Sequence, residues 1–366
     1  MRFSVQRESL MKPLLLTGGV VERKQTLAIL ANVLLVVSDN TLEITGTDLE
    51  VEMVARTKVM NSEDGRITVP ARKFSDICRA LPEGAIIELA LEGERILLKS
   101  GRSRFVLTTQ PAAEFPNIEA IQGAIEIAIP QKTLKSLIEQ THFAMASQDV
   151  RYYLNGLMLE VSHGILRTVA TDGHRLALCE QLIEENNLEN QQIIIPRKGV
   201  MELIRLLSES DEEVILYISA NHIRIETTEI CLTSKLIDGR FPDYQRVVPQ
   251  GGDNIILVER NLLQQAVTRA SILSNERYRS IRLQLSNNVL RILANNPDQE
   301  EAEEELFVNY VGDPLEIGFN ANYMLDALNA IKESEVKITL TDSNSCCLIE
   351  SAQNAHSKYV VMPMRI

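Results

Sequence analysis

The sequence predicts an α+β fold of three similar domains, each with two helices packed on antiparallel sheets. Three observations carry that prediction. A helix-like segment recurs at Pro70 to Leu81, Pro196 to Leu207 and Asn320 to Ile331, with starts 126 and then 124 residues apart. A Thr-Asp pair at Thr47-Asp48 returns 124 residues later as Thr171-Asp172, and after another 124 as Asn295-Asn296. Between these landmarks lie short runs of alternating polarity with turn residues between them, the pattern of half-buried strands. Landmarks that stay in register over the whole chain are the mark of a repeated unit.

In chain order, the first unit opens with a short amphipathic segment around Leu10, with a helix expected over 6–16. A strand such as Leu42-Glu-Ile-Thr follows, and then the helix at 70–81. Its residues Phe74, Ile77, Cys78 and Leu81 fall at i, i+3, i+4 and i+7 and form one buried face. Ile86-Ile-Glu-Leu-Ala-Leu and Arg95-Ile-Leu-Leu-Lys read as strands, and Phe115-Pro116 closes the unit. The second unit repeats the plan: a helix over 131–140 around Leu134, the strand Leu166-Arg-Thr-Val, and a helix over 196–208 burying Val200, Leu203, Ile204 and Leu207. Val214-Ile-Leu-Tyr-Ile and Ile223-Arg-Ile-Glu are its later strands, ending at Phe241-Pro242. In the third unit a helix over 260–271 holds Leu263, Leu290-Arg-Ile-Leu is a strand, and a helix over 319–335 buries Met324, Ala327, Leu328 and Ile331. Pro70 and Pro196 suit helix starts, and Asn320 is a cap in the third copy. The expected domains are 1–123, 124–252 and 253–366.

The 366 residues are 45% hydrophobic, enough for two or three ordinary cores, which excludes a disordered or fibrous chain. The longest uncharged stretch, 25–38, contains Asn32 and is too short to cross a membrane. The apolar run Leu14-Leu15-Leu16 lacks the cleavage site of a secretory signal, so a cytoplasmic location is expected. Cys78, Cys179, Cys231, Cys346 and Cys347 show no C-x-x-C spacing and are expected to be reduced and mostly buried.

A net charge of −13 argues at first against nucleic acid. By predicted helix, however, the charge is +1, +2, +1, +2, +2 and −2, leaving the acidity to strands and loops. Helices gathered on one side would attract phosphate there, while the plainer reading makes Arg72, Lys73, Arg79, Arg197, Lys198 and Arg205 solvated faces. With no Trp and 4% aromatic residues, a wall of base-stacking rings is not expected.

The ends of the chain are asymmetric. Lys73, Arg95, Lys99, Arg102 and Arg104 accompany Phe105 and Leu107 in the first unit. The third carries Glu300, Glu301, Glu303, Glu304 and Glu305 with Ile272 and Leu273. Opposite charges on two different surfaces suit a head-to-tail contact between copies, which closes into a ring where the rotation permits. The acidic run is alternatively a solvated loop or a carboxylate cation site, although the spacing of a calcium loop is missing.

Phosphate-loop, dinucleotide, nucleophile-elbow and H-E-x-x-H motifs are absent from the sequence. Asp172-Gly-His-Arg175 could orient an imidazole for catalysis, but no nucleophile is near in sequence, and a turn with Gly173 at positive φ is the competing reading. The C-terminal Tyr359-Val-Val-Met-Pro-Met-Arg-Ile366 is apolar for a terminus, either a buried strand or the border of a groove in which Met362 and Met364 adapt to several partners.

Long strings then carry a family resemblance: Gly46-Thr-Asp-Leu-Glu, Val69-Pro-Ala-Arg-Lys-Phe, Gln148-Asp-Val-Arg-Tyr-Tyr-Leu-Asn-Gly156, Ala170-Thr-Asp-Gly-His-Arg-Leu176, Asp238-Gly-Arg-Phe-Pro-Asp-Tyr244, Leu293-Ala-Asn-Asn-Pro and Val361-Met-Pro-Met-Arg365. Over its whole length the chain resembles the bacterial sliding clamp, the beta subunit of DNA polymerase III. The resemblance implies a head-to-tail homodimeric ring with helices lining the hole. It implies a processivity factor that encircles duplex DNA without reading sequence, uses no cofactor and catalyses nothing. The implied partners are the replicative polymerase catalytic subunit, an ATP-dependent clamp loader, other polymerases, and repair and ligase proteins that bind through short linear motifs. Matching positions near the family's DNA path are Arg23, Gln148, Tyr152, Tyr153, Arg197 and Lys198. Those matching its partner-peptide pocket are Arg151, Leu154, Thr171, Gly173, His174, Arg175, Leu176, Pro242, Arg246, Val247, Asn320, Tyr323, Val360, Met362, Pro363, Met364 and Arg365. The resemblance makes His174 a pocket wall, against the rival reading of a soluble repeat enzyme or scaffold. Two features depart from the family: Cys346 and Cys347 stand where a smaller polar residue is expected, and the loop from Glu184 to Gln192 is atypical.

Overall fold

The fold was obtained as a computed structural model, which describes residues 1–22, 27–118, 124–183, 190–252 and 254–365. Six α-helices occupy α1 (Arg7–Val20), α2 (Ala71–Ala80), α3 (Gln131–Glu139), α4 (Arg197–Leu206), α5 (Arg260–Ser271) and α6 (Ala321–Ala330) among the described residues. Each directly follows a strand, so the strand–helix junction appears twice per repeat. Arg2–Gln6, Ile125–Pro130 and Asn254–Glu259 precede α1, α3 and α5, and Gly65–Pro70, Gln191–Pro196 and Leu315–Asn320 precede α2, α4 and α6. Pro70 and Pro196 end their strands one residue ahead of the helix. The predicted cap is present: Asn320 Oδ1 accepts from Asn322 N at 2.9 Å and Tyr323 N at 3.3 Å.

Two helix ends differ from expectation by more than two residues. α1 runs four residues beyond Leu16, through Pro13 and Gly18-Gly19, because tertiary packing overrides local propensity. Thr17 Oγ1 donates to Pro13 O at 2.8 Å, and a Cβ on Gly46 would lie 2.4 Å from Thr17 O, so only glycine lets the helix sit this close to its strand. α6 stops at Ala330, since Glu335–Leu340 is already a strand paired with Asn254–Glu259.

All strand pairs are antiparallel, in sheets of five, eight, eight and four strands among the described residues. The chain divides into two compact units, Met1–Lys135 with Lys198–Leu236, and Ser136–Arg197 with Ile237–Ile366. In the first unit, Val51–Lys58 of the first repeat pairs with Ile230–Lys235 of the second, from Ala55 opposite Ile230 to Val51 opposite Ser234. In the second unit, Arg175–Leu182 pairs with Ser357–Val361, joining the second repeat to the third. The first unit's core includes Phe3, Leu10, Phe74, Cys78 and Leu98, and a core cluster of the second contains Met158, Leu176, Phe241, Tyr244 and Val360.

All five cysteines are free, and four are buried, Cys346 being half-buried. Burial pushes the Cys78 and Cys179 thiols up to about 12. Among the described residues no helix is long and apolar enough to cross a membrane.

Candidate functional site

The Thr-Asp landmark is a turn held by its own side chains. Asp172 Oδ1 accepts from His174 N at 2.9 Å and Arg175 N at 3.0 Å; Thr171 Oγ1 accepts from Gly173 N at 3.1 Å and donates to Arg175 O at 2.6 Å. The first repeat builds the same turn: Asp48 Oδ1 accepts from Glu50 N and Val51 N, and Thr47 Oγ1 from Leu49 N. Gly173 has φ +87° as expected, whereas its counterpart Leu49 adopts φ +79° despite its side chain. Asp172 is occupied by backbone amides and by Arg175 Nε at 3.1 Å, so it does not orient the His174 imidazole, which is exposed. The catalytic reading of this turn fails on that geometry.

Arg175 fixes the surroundings. Its guanidinium lies 4.5 Å from the Tyr323 ring centroid and 5.5 Å from that of Phe143, ion-pairs with Asp326, and donates to Phe143 O at 2.7 Å. The C-terminal segment attaches to the turn through Met362 N, 2.9 Å from His174 O, and then to Gly318 O through Met364 N at 2.8 Å. Beside the turn, Arg151 pairs with Asp149 at 2.8 Å, and that pair holds the half-buried Asp149 carboxyl down at about 2.

These elements enclose a cavity of about 170 Å3, lined by Arg151, Tyr153, Leu154, Thr171, Gly173, Arg175, Leu176, Pro242, Tyr244, Val247, Val360 and Met362. Apolar walls with a few fixed polar groups suit the side chains of a bound peptide. The remaining expected pocket residues do not line this cavity. His174 and Arg246 are exposed, Asn320 caps α6, and Tyr323 stacks on Arg175. Pro363, Met364 and Arg365 line a second, more open cavity of about 590 Å3 with Glu316, Ile317, Gly318, Ser343 and Asn344. Tyr244 lines the first cavity unanticipated; its signal was its place in the Phe-Pro-Asp-Tyr string. Half-buried Cys346 packs against the same core cluster, its Sγ 3.8 Å from Val247 O, and burial pushes its thiol up.

The residues matched to a DNA path separate. Gln148, Tyr152 and Arg197 are exposed, with Tyr152 75% accessible. Tyr153 instead lines the cavity, and the Lys198 ammonium is bound by Asp48 and Glu22. Arg23 lies outside the described residues, as do 184–189 of the atypical loop. Gln192, where that loop ends, belongs to the strand Gln191–Pro196.

Residues expected at a head-to-tail contact sit on two sheet edges. Ser103–Thr108 is the outermost strand of the five-stranded sheet, and Glu301–Phe307 that of the four-stranded sheet, so the acidic run is a strand and not a loop. Lys73, Arg95, Arg102 and Arg104 are exposed. In the strand Ser103–Thr108, Leu107 is buried and Phe105 half-buried against the core of the first unit, while Val106 on the other face is exposed. Ile272 is exposed and Leu273 half-buried. Glu304 is held by Arg269 at 2.6 Å, and Glu303 and Glu305 flank Arg291 at 3.5 and 3.1 Å; Glu300 and Glu301 remain exposed. These arginine pairings displace the cation-site alternative.

Comparison with known proteins agrees along the entire chain. The N-terminal, central and C-terminal domains of the DNA polymerase III beta subunit match residues 1–119, 128–243 and 245–365. The beta sliding clamps of Pseudomonas aeruginosa and Escherichia coli K12 are each 54% identical to it, with full coverage of both chains. The crystal structure of DNA polymerase III subunit beta from P. aeruginosa superposes with a TM-score of 0.97 at 54% identity, again over all of both chains. Three repeats, their paired helices and their antiparallel sheets therefore have one explanation: the chain belongs to the beta sliding clamp family, the non-catalytic processivity factor of bacterial DNA polymerase III.

Proposed function

We propose that two copies of the chain join head to tail into a cytoplasmic ring that encircles duplex DNA, with domains 1–123, 124–252 and 253–366 in each copy. The observation that carries the ring is the pair of unpaired strand edges. Ser103–Thr108 contains exposed Arg104 and is preceded by exposed Arg102, and Glu301–Phe307 presents Glu301 and Glu303. Edges of opposite charge on one chain favour edge-to-edge pairing between copies, which would also remove the hazard of a free edge. Helices that are more basic than the rest of the chain would form a weakly attractive lining, and backbone-only contacts would leave sliding unhindered. The cavity beside Thr171 to Arg175 would receive the Leu and Phe side chains of short linear motifs. The polymerase catalytic subunit, the ATP-dependent loader, other polymerases, and repair and ligase proteins would then take turns there.

The test is topological. After loading with loader and ATP, the chain should co-elute with closed circular duplex in gel filtration and dissociate once the circle is cut. Equal retention on cut and closed DNA would show direct adhesion and reject encirclement.

A further inference from the structure

Tyr244 joins two environments. The residue lines the cavity, while its hydroxyl bonds to a polar row on the sheet in which Glu160 is buried, Arg167 and Glu180 are half-buried and Gln192 is exposed. The hydroxyl donates to Glu160 Oε2 at 2.5 Å and accepts from Arg167 Nη1 at 2.8 Å. Glu160 also accepts from Gln192 Nε2 at 2.7 Å, and Arg167 Nε and Nη2 contact Glu180 at 2.8 and 2.7 Å. Gln192, Glu160, Arg167 and Glu180 stand directly opposite one another on four neighbouring strands, so the row is as rigid as the sheet.

The segment facing this row is built differently. Residues 241–248 contain one short turn at Tyr244–Arg246, with local backbone bonds from Val247 and Val248 to Tyr244 O. From this segment come Pro242, Tyr244 and Val247, which line the cavity together with the sheet residues Leu176 and Val360. Burial and the bond to Glu160 push the Tyr244 phenol up, keeping it a donor. Burial also works to raise Glu160, but the hydrogen bonds from Tyr244, Gln192 and Arg167 outweigh it and hold the carboxyl down, keeping it an ionised acceptor.

We propose that Tyr244 is a positioning residue whose hydroxyl, fastened to Glu160 and Arg167, sets how closely the Pro242–Val247 wall stands to the sheet and thereby how long a bound peptide stays. This inference rests on the reading of the cavity as a peptide pocket. A peptide that fits a preset wall loses less freedom on binding, so the fastening acts on dissociation.

The experiment measures dissociation of a fluorescein-labelled decapeptide carrying neighbouring Leu and Phe from Y244F, E160A, E160Q, the Y244F/E160A double variant and M362D. Y244F and E160A should each release the peptide about five- to tenfold faster, the effect of one hydrogen bond. E160Q, which retains an acceptor, should stay near the unmodified chain, and the double variant should be no worse than either single one. A general loss of structure would give additive losses and no rescue by E160Q. If M362D abolishes binding while Y244F and E160A release peptide at the unmodified rate, or if their effects add, the positioning role is wrong. If M362D binds undiminished, the pocket reading itself fails.

Discussion

Lys198 Nζ lies 2.5 Å from Asp48 Oδ2, and Glu22 Oε1 approaches the same ammonium at 2.7 Å. Asp48 is the first-repeat counterpart of Asp172, which takes Arg175 as its partner instead. Burial disfavours the Lys198 charge, but its two carboxylates outweigh that and push its pKa up, so the charge is spent within the protein.

Lys198→Ala should therefore cost stability, about 2 kcal/mol in a denaturant titration, because it leaves the nearly buried Asp48 carboxylate unpaired. Arg197→Ala should leave stability unchanged and lower the slope of log DNA affinity against log salt by about 1. The reverse assignment of these two effects would show that Lys198 faces phosphate.

Ile272 is 71% exposed at the end of α5, an expensive position for isoleucine unless another surface covers it. Ile272→Ala with Leu273→Ala should raise the dimer dissociation constant at least about tenfold in sedimentation equilibrium. An unchanged constant would move the seam elsewhere.

Removing residues 362–366 takes away the Met362 wall and the Met364 bond to Gly318 but spares the strand Ser357–Val361. Stimulation of polymerase should disappear while the sedimentation profile stays that of the intact chain. Stimulation retained in primer extension would separate the cavity from polymerase binding.

Glu202 on α4 is 3% exposed; Oε1 accepts from Arg205 at 2.8 Å, and Oε2 lies against Gly19 with no hydrogen-bond partner among the described residues. Burial raises its pKa above the ordinary 4.5. A carboxyl raised by folding contributes stability fully present below its ordinary pKa and lost as pH rises through the folded value. Glu202→Gln should thus raise the melting temperature by roughly 2 °C at pH 8 and by nothing at pH 4. An equal gain at both pH values would point to packing instead of charge.

The repeat was legible because its signals are local. Helix faces such as Phe74, Ile77 and Cys78 repeat at fixed spacing, and an Asx turn needs only Asp172 and the next three residues. What escaped depends on distant partners. Continuation of α1 through Pro13 and Gly18 is decided by Gly46 on another strand. The fate of Lys198 was decided by Asp48, 150 residues away, and that of Tyr244 by Glu160, 84 residues away.

The pairings of Val51–Lys58 with Ile230–Lys235 and of Arg175–Leu182 with Ser357–Val361 separate descent from autonomy. The sequence was multiplied in thirds, but the ladder hydrogen bonds were dealt across the copies. A third cut out on its own would leave the edge of the strand Val51–Lys58 without its partner Ile230–Lys235, with its amides seeking another chain. Three ancestral modules have become two compact units, each held by a ladder that crosses a repeat boundary, so a single repeat is no longer the unit that folds.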